Sequence, residues 1–368
     1  MISITKPTLI LDEDKCRYNI KRMKEKADAH QQDFRPHFKT HQSNAIGEWV
    51  REAGVEAITV SSLGMAYYFA QAGWEDITVA FPFNILETED LKKFPAHCRL
   101  TLLVDNEQTI SYLSTSGLSL SIFIEIDSGA HRTGLSSSDY EGVLELIRLV
   151  KSFDNLTLRG LYSHAGHSYQ CRGEAEVKAV HHQLHNDLKG LKAALKGEED
   201  IYICTGDTPT CSVGGHFEGS NSLSPGNFVF YDVMQAEIGA CSYHDIAVAV
   251  ACPVVSKNAD RKEICIYGGA IHFSKDSIEV NGNKSFGQLV ESQGNLEWGT
   301  VVPDCYLKSL SQEHGLLKVT LAVFDQIQVG DVLMILPIHS CLAAESLGCY
   351  ITTNGTELEH FSRVKSQR

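Results

Sequence analysis

The chain has 368 residues, long for one simple domain and short for three, so one large unit with a smaller appendage is the expected plan. Its 32 Lys and Arg against 46 Asp and Glu leave a net charge of −14, which argues against a surface built to wrap nucleic acid or lie on an anionic membrane. With no leader-like segment at residues 1–7, no apolar run beyond about half a membrane span (246–255), and eleven cysteines without a Cys-x-x-Cys pair, the expectation is a reduced, cytoplasmic protein without a disulfide framework.

Taken in chain order, short apolar or β-branched runs fall at 8–11, 34–41, 58–62, 77–81, 100–105, 121–127, 158–164, 201–205 and 227–231. Between them lie segments such as 138–153 and 174–196, whose apolar residues recur at three- and four-residue spacing, the signature of amphipathic helices. From 34 onward this makes eight strands alternating with helices, and the predicted fold is α/β: a TIM-type (β/α)8 barrel over residues 14–240. Beyond 240 the pattern changes to strand-like runs at 246–255, 264–267, 316–323 and 332–336, broken by Gly-Asn, Asn-Gly and Gly-Asp turn signals. Residues 1–13 and 241–368 are therefore assigned to a mostly-β domain.

Barrels of this kind place chemistry on the loops that leave the C-terminal ends of their strands. If 34–41 is extended, Arg35, His37, Lys39 and His41 share one face. Such crowding of cations is tolerable only beside an anion or with the lysine neutral, and a neutral lysine is the nucleophile an aldehyde cofactor needs. A solvated basic strand end is the plainer alternative. Thr208-Pro209-Thr210 and Gly226-Asn227 follow successive late strands, where hydroxyls, backbone N–H groups and close backbone approach suit a phosphate. Near the end, His339-Ser340-Cys341 offers imidazole and thiolate, a zinc-favouring pair with too few ligands for a closed structural site.

Read together, Arg35-Pro36-His37-Phe38-Lys39-Thr40-His41, Asp127-Ser128-Gly129-Ala130-His131-Arg132-Thr133-Gly134, Gly160-Leu161-Tyr162-Ser163-His164, Gly206-Asp207-Thr208-Pro209-Thr210, Pro225-Gly226-Asn227, Glu313-His314-Gly315 and Pro337-Ile338-His339-Ser340-Cys341 resemble the D-serine dehydratase and D-threonine aldolase family. These are pyridoxal 5'-phosphate enzymes on the alanine-racemase barrel. The resemblance implies that Lys39 carries the cofactor's Schiff base and serves as the base at the substrate's α-carbon. It implies cofactor contacts from Arg132, Tyr162, His164, Tyr169, Thr208, Gly226 and Asn227, and a Zn2+ or other divalent cation on His339 and Cys341.

Racemases place an arginine before the Pro-Gly pair; here the residue is Ser224, so the racemase manner of tuning the pyridine ring is not expected. Aldolases of the family usually carry His-x-Asp and the zinc-dependent dehydratases His-x-Cys, so Cys341 points to dehydration of a 3-hydroxy D-amino acid, D-serine foremost. Retro-aldol cleavage is the alternative, and racemisation or a non-catalytic carrier is less supported. Relatives pair head to tail, which implies a homodimer.

Overall fold

The computed structural model describes residues 3–361. Two compact units divide it: Lys21–Gly226 with Phe361, and Asn227–His360 with the described residues up to Ile20. The division falls earlier than the boundary expected at 240. Segment 227–240 bonds within the second unit, Met234 N to Ile338 O at 3.2 Å and Ala247 N to Phe230 O at 2.8 Å.

The first unit is a parallel barrel. Its strands, in hydrogen-bonded order, are Asp33–Phe34, Ser222–Leu223, Ile203–Gly206, Leu156–His164, Leu120–Asp127, Arg99–Val104, Asp76–Pro82 and Ala57–Val60. Phe38 N to Thr59 O (2.8 Å) and Thr59 N to Pro36 O (3.0 Å) tie the last of these back to the segment following the first. Inward side chains from successive strands, Leu103, Phe123, Tyr162 and Cys204, pack as one layer, because alternate residues of a strand face the barrel interior. The covering helices start where the sequence supplies side-chain acceptors: Ser43, Ser62, Asn106 and Asp139 each take a backbone N–H of the helix they open. In helix Tyr140–Lys151, Val143, Leu146, Ile147 and Val150 form the buried stripe.

Two expected strands are corrected. The first regular strand stops at Phe34 rather than running over 34–41; Gln42 N bonds to Phe38 O at 2.9 Å, so the chain turns before Ser43 caps helix Asn44–Glu52. The eighth strand is Ser222–Leu223, not 227–231, and Asn227–Val229 is a 3-10 turn. Serines on both sides of Leu223 conceal that strand in the hydropathy pattern, and Pro225, with no N–H, ends its ladder.

The second unit is a nine-stranded sheet in the order Glu263–Tyr267, His314–Lys318, Glu297–Leu310, Gly287–Gly294, Val332–Pro337, Val248–Asn258, Thr8–Leu11, Cys349–Thr352 and Glu357–Glu359, with Glu263–Tyr267 also paired to Val248–Asn258. Thr8–Leu11 lies antiparallel to Val248–Asn258 and parallel to Cys349–Thr352, and Leu9, Ile10 and Leu11 are fully buried there. The run expected as a strand over 316–323 ends at Lys318; Thr320 caps a short helix, Leu321–Gln326.

Candidate active site

After Phe34 the barrel segment stays buried through Phe38, and the turn then puts Lys39 out as an exposed side chain between buried Phe38 and Thr40. The expected four-residue basic face does not form, because its members go different ways. Arg35 reaches back to Asp76 (2.5 Å) and Thr78 (3.0 Å), and Asp76 also lies 3.6 Å from both Arg99 and Arg159. That network lines a cavity of about 920 Å3 at the N-terminal ends of the strands, the stability end of such barrels. His41 packs edge-on to Phe38 (4.4 Å between centroids) and accepts the Ser43 N–H through Nδ1. His37 Nδ1 accepts the Lys39 N–H at 3.3 Å.

Burial holds His37 well below the ordinary histidine range, and the charges of Lys39, His164, His41 and Arg132 add to the effect. His164, at the end of strand Leu156–His164, is pushed down to about 3 by burial and by Lys39 and Arg132, against a backbone hydrogen bond with Gly206. The strand ends thus bring Lys39 and Arg132 into the same field, flanked by two neutral imidazoles. Arg132 is exposed. Glu125 lies nearby; burial raises its pKa, while the Thr133 hydroxyl at 2.9 Å and Arg132 oppose that.

Tyr162 points inward from the same strand as His164. Its hydroxyl donates to Ser224 Oγ (3.4 Å), which donates to Thr59 Oγ1 (2.8 Å). Ser224 therefore belongs to a buried chain of neutral hydroxyls where a racemase carries a cation. Next to His164, the 3-10 helix Gly166–Gln170 carries Tyr169, its ring 6.3 Å from that of His164 and its hydroxyl accepting the Thr208 N–H at 3.3 Å. Thr208 and Pro209 open the short helix Thr208–Val213, capped by Asp207, which accepts Thr210 N (2.7 Å), Thr210 Oγ1 (2.6 Å) and Ser168 Oγ (2.9 Å). Asp207 is wholly buried, and burial raises its pKa to about 7 in spite of those three donors.

Gly226 allows a close approach: a Cβ there would lie 3.0 Å from His37 O and 3.3 Å from Thr40 Oγ1, so either neighbour would have to give way. Lys39, Arg132, Tyr162, His164, Tyr169, Thr208 and Gly226 all belong to one unit and, Tyr162 apart, to loops or strand ends at the C-terminal end of the barrel. Two cationic side chains beside histidines that burial keeps neutral, a close glycine approach and buried threonines fit an anionic, phosphate-bearing group.

Asn227 opens the second unit and works there. Its Nδ2 donates to Asp232 Oδ2 (2.7 Å), Ser340 Oγ (3.0 Å) and Cys341 Sγ (3.4 Å), and its buried Oδ1 has no partner among the described residues. His339 and Cys341 were expected to meet on an extended segment. Strand Val332–Pro337 instead ends before them, and His339 caps helix Ser340–Leu347; the first helical turn brings the two side chains within hydrogen-bonding reach. His339 Nδ1 lies 2.7 Å from Asp276 Oδ2. Burial works to lower the His339 pKa, but Asp276, Cys341 and the charge of Asp232 reverse this and push it up to about 11. A field that favours a cation, with imidazole and sulfur side by side, fits a divalent metal. Among the described residues no group of three or more His, Cys, Asp or Glu stands in ligating arrangement.

Three carboxylates of these sites were not singled out from the sequence. Asp207 lies inside a quoted motif, just before Thr208, Asp232 lies five residues after Asn227, and both cap helices, a role their residue type signals. Asp276 is 63 positions from His339, and no local pattern links them.

Residues 11–232 match the family model for the alanine racemase N-terminal domain, and residues 247–353 the one for a putative serine dehydratase domain. The D-threo-3-hydroxyaspartate dehydratase of Delftia sp. (strain HT23) is 28% identical over 366 residues, covering 95% of this chain and 94% of that protein. The D-serine dehydratase of Dictyostelium discoideum is 28% identical over 385 residues, covering 96% and 94%. The solved Delftia dehydratase superposes with a TM-score of 0.89 at 26% identity, over 97% of this chain and 98% of that one. Mutants of a D-threo-3-hydroxyaspartate dehydratase are equally similar, one with a cysteine changed to alanine in the metal-free form and one with a histidine changed two positions earlier, at TM-scores of 0.89 and 0.88.

Proposed function

Since the chain belongs to the alanine racemase N-terminal domain family and joins to it a serine dehydratase domain, we propose that it is a pyridoxal-phosphate- and metal-dependent lyase of 3-hydroxy D-amino acids that converts D-serine to pyruvate and ammonia. The observation that carries this reading is the imidazole–sulfur pair of His339 and Cys341. It has the same His-x-Cys spacing as the two positions altered in the solved dehydratase mutants, one of them metal-free.

Pyridoxal phosphate, when bound, supplies the electron sink that makes an α-proton acidic. Lys39 would hold it and receive that proton at Nζ, from an exposed position that substrate can reach. Thr208 and Gly226 would receive the phosphate, with Tyr169 fixing the Thr208 backbone; Tyr162, His164 and Arg132 would line the ring, His164 as a neutral imidazole that adds no charge. Asn227, kept among these contacts by the resemblance, has its amide engaged at the metal pair, and only its Oδ1 is available to a ligand. His339 and Cys341 would hold a divalent cation, zinc by their donor type, which supplies Lewis acidity toward a hydroxyl leaving group. Loss of water from D-serine, followed by hydrolysis, balances to pyruvate and ammonia. A homodimer in the cytoplasm completes the reading; no helix among the described residues is long and apolar enough to cross a membrane.

Product analysis tests it. Incubation with D-serine and D-threonine should yield pyruvate and 2-oxobutyrate with ammonia, sensitive to a chelator and lost with the visible cofactor band in Lys39→Ala. Glycine and an aldehyde would instead identify an aldolase.

A further inference from the structure

We propose that Asp276 is the positioning residue of the His339–Cys341 pair: its carboxylate accepts the Nδ1 proton of His339 and thereby fixes the Nε2 lone pair on the cation. This rests on the reading of that pair as a metal site. An imidazole can offer a lone pair from one nitrogen only when the proton resides on the other, and a carboxylate at that other nitrogen both selects the tautomer and strengthens the donor. Asp276 Oδ2 stands 2.7 Å from His339 Nδ1.

The loop that carries Asp276 is built to hold it. Helix Ala270–Phe273 packs against helix Ser340–Leu347. It ends on Ser274, a non-glycine residue at φ +70° whose hydroxyl oxygen accepts the Asp276 N–H at 3.1 Å. A left-handed conformation on a β-substituted residue persists only where surrounding structure enforces it. Its result here is the direction of one carboxylate. Stability is a weak explanation for that arrangement, because the His339 and Asp276 side chains retain 31% and 40% exposure and an ion pair so open to water contributes little. On the other flank, Asn227 donates to Cys341 Sγ, so each member of the pair is oriented by a different segment.

The test uses the full-length protein loaded with zinc and, separately, with Co(II) as a spectroscopic probe, in competition with a chromogenic chelator. Asp276→Ala should bind zinc roughly 10–100-fold more weakly, the usual effect of losing such a partner, and should alter the sulfur-to-cobalt absorption. Asp276→Asn, whose side-chain oxygen still accepts the Nδ1 proton, should recover part of the loss. If His339→Ala binds zinc as tightly as the parent, the metal reading itself fails. If His339→Ala loses zinc while Asp276→Ala keeps the parental affinity and cobalt spectrum, the metal reading stands and the positioning role is overturned. Should the alanine variant not fold, the isosteric asparagine decides: a severalfold loss supports the role, and parental affinity with an unchanged spectrum refutes it.

Discussion

Asp207 shows how a single side chain can bind a site together and tie it to pH. Its carboxyl collects Thr210 N, Thr210 Oγ1 and Ser168 Oγ in a fully buried pocket under the Thr208-Pro209-Thr210 turn. Burial raises its pKa from 3.8 to about 7, so between those values the folded protein binds a proton that the unfolded chain has lost, and stability falls as pH rises through that window by at most about 1.4 kcal/mol per unit. Asp207→Asn keeps an acceptor for Thr210 N and cannot ionise; its melting temperature, followed from pH 4 to 7, should lack this decline. Buried histidines act in the opposite direction. His164 and His185 are both pushed down to about 3, chiefly by burial, so the stability they confer is complete above about pH 6.5 and is lost as the solution is acidified toward pH 3. His185→Gln, which removes one such group away from the candidate site, should move acid unfolding, read by circular dichroism, to lower pH. Of the site residues, those that announce themselves by type and neighbourhood were legible: a lysine in an Arg-Pro-His-x-Lys motif, hydroxyls beside Pro, His-x-Cys. Asp276 was not, since only folding brings it to His339.

At the level of elements, periodicity revealed the helices and the longer strands and failed where strands shorten to two residues. Ser222–Leu223 is one hydrophobic residue among serines, and the barrel accepts it because Arg35 N and His37 N bond to Leu223 O and Pro225 O (2.9 and 2.8 Å), extending its pairing with the neighbouring strand Asp33–Phe34. The misjudged 34–41 strand has the same origin: Ser43 as a helix cap outweighs the β-like alternation before it. The early strand Thr8–Leu11 was legible as a strand. It is paired on both edges, and helix Ser340–Leu347 packs against it. Ile10 is fully buried between Ala249 and Ile351, and Ile10→Ala should cost about 2–5 kcal/mol in chemical denaturation, as truncations in a packed core do. A variant lacking residues 1–11 should lose the cooperative unfolding of the β unit altogether.

For the whole molecule, thiol chemistry and metal chemistry should separate cleanly. None of the eleven cysteines is disulfide-bonded, and Cys16, Cys171, Cys204, Cys211, Cys252 and Cys305 are buried. A reductant should leave the melting temperature unchanged. A chelator should lower that of the metal-loaded protein, because a ligand held only by the folded state stabilises it, and His339→Ala should abolish that sensitivity. The sheet of the second unit has a consequence for synthesis as well. Thr8 lies opposite Ala251 and Ile10 opposite Ile351, so during synthesis this strand must wait for partners that are made only after the whole of the barrel sequence. The barrel sequence 21–226 can close in that interval, whereas the β unit completes its sheet only once Cys349–Thr352 has been made, carrying an unpaired apolar edge until then. Leu9, Ile10 and Leu11 are therefore the segment on which a holding chaperone would act during the lifetime of the nascent chain.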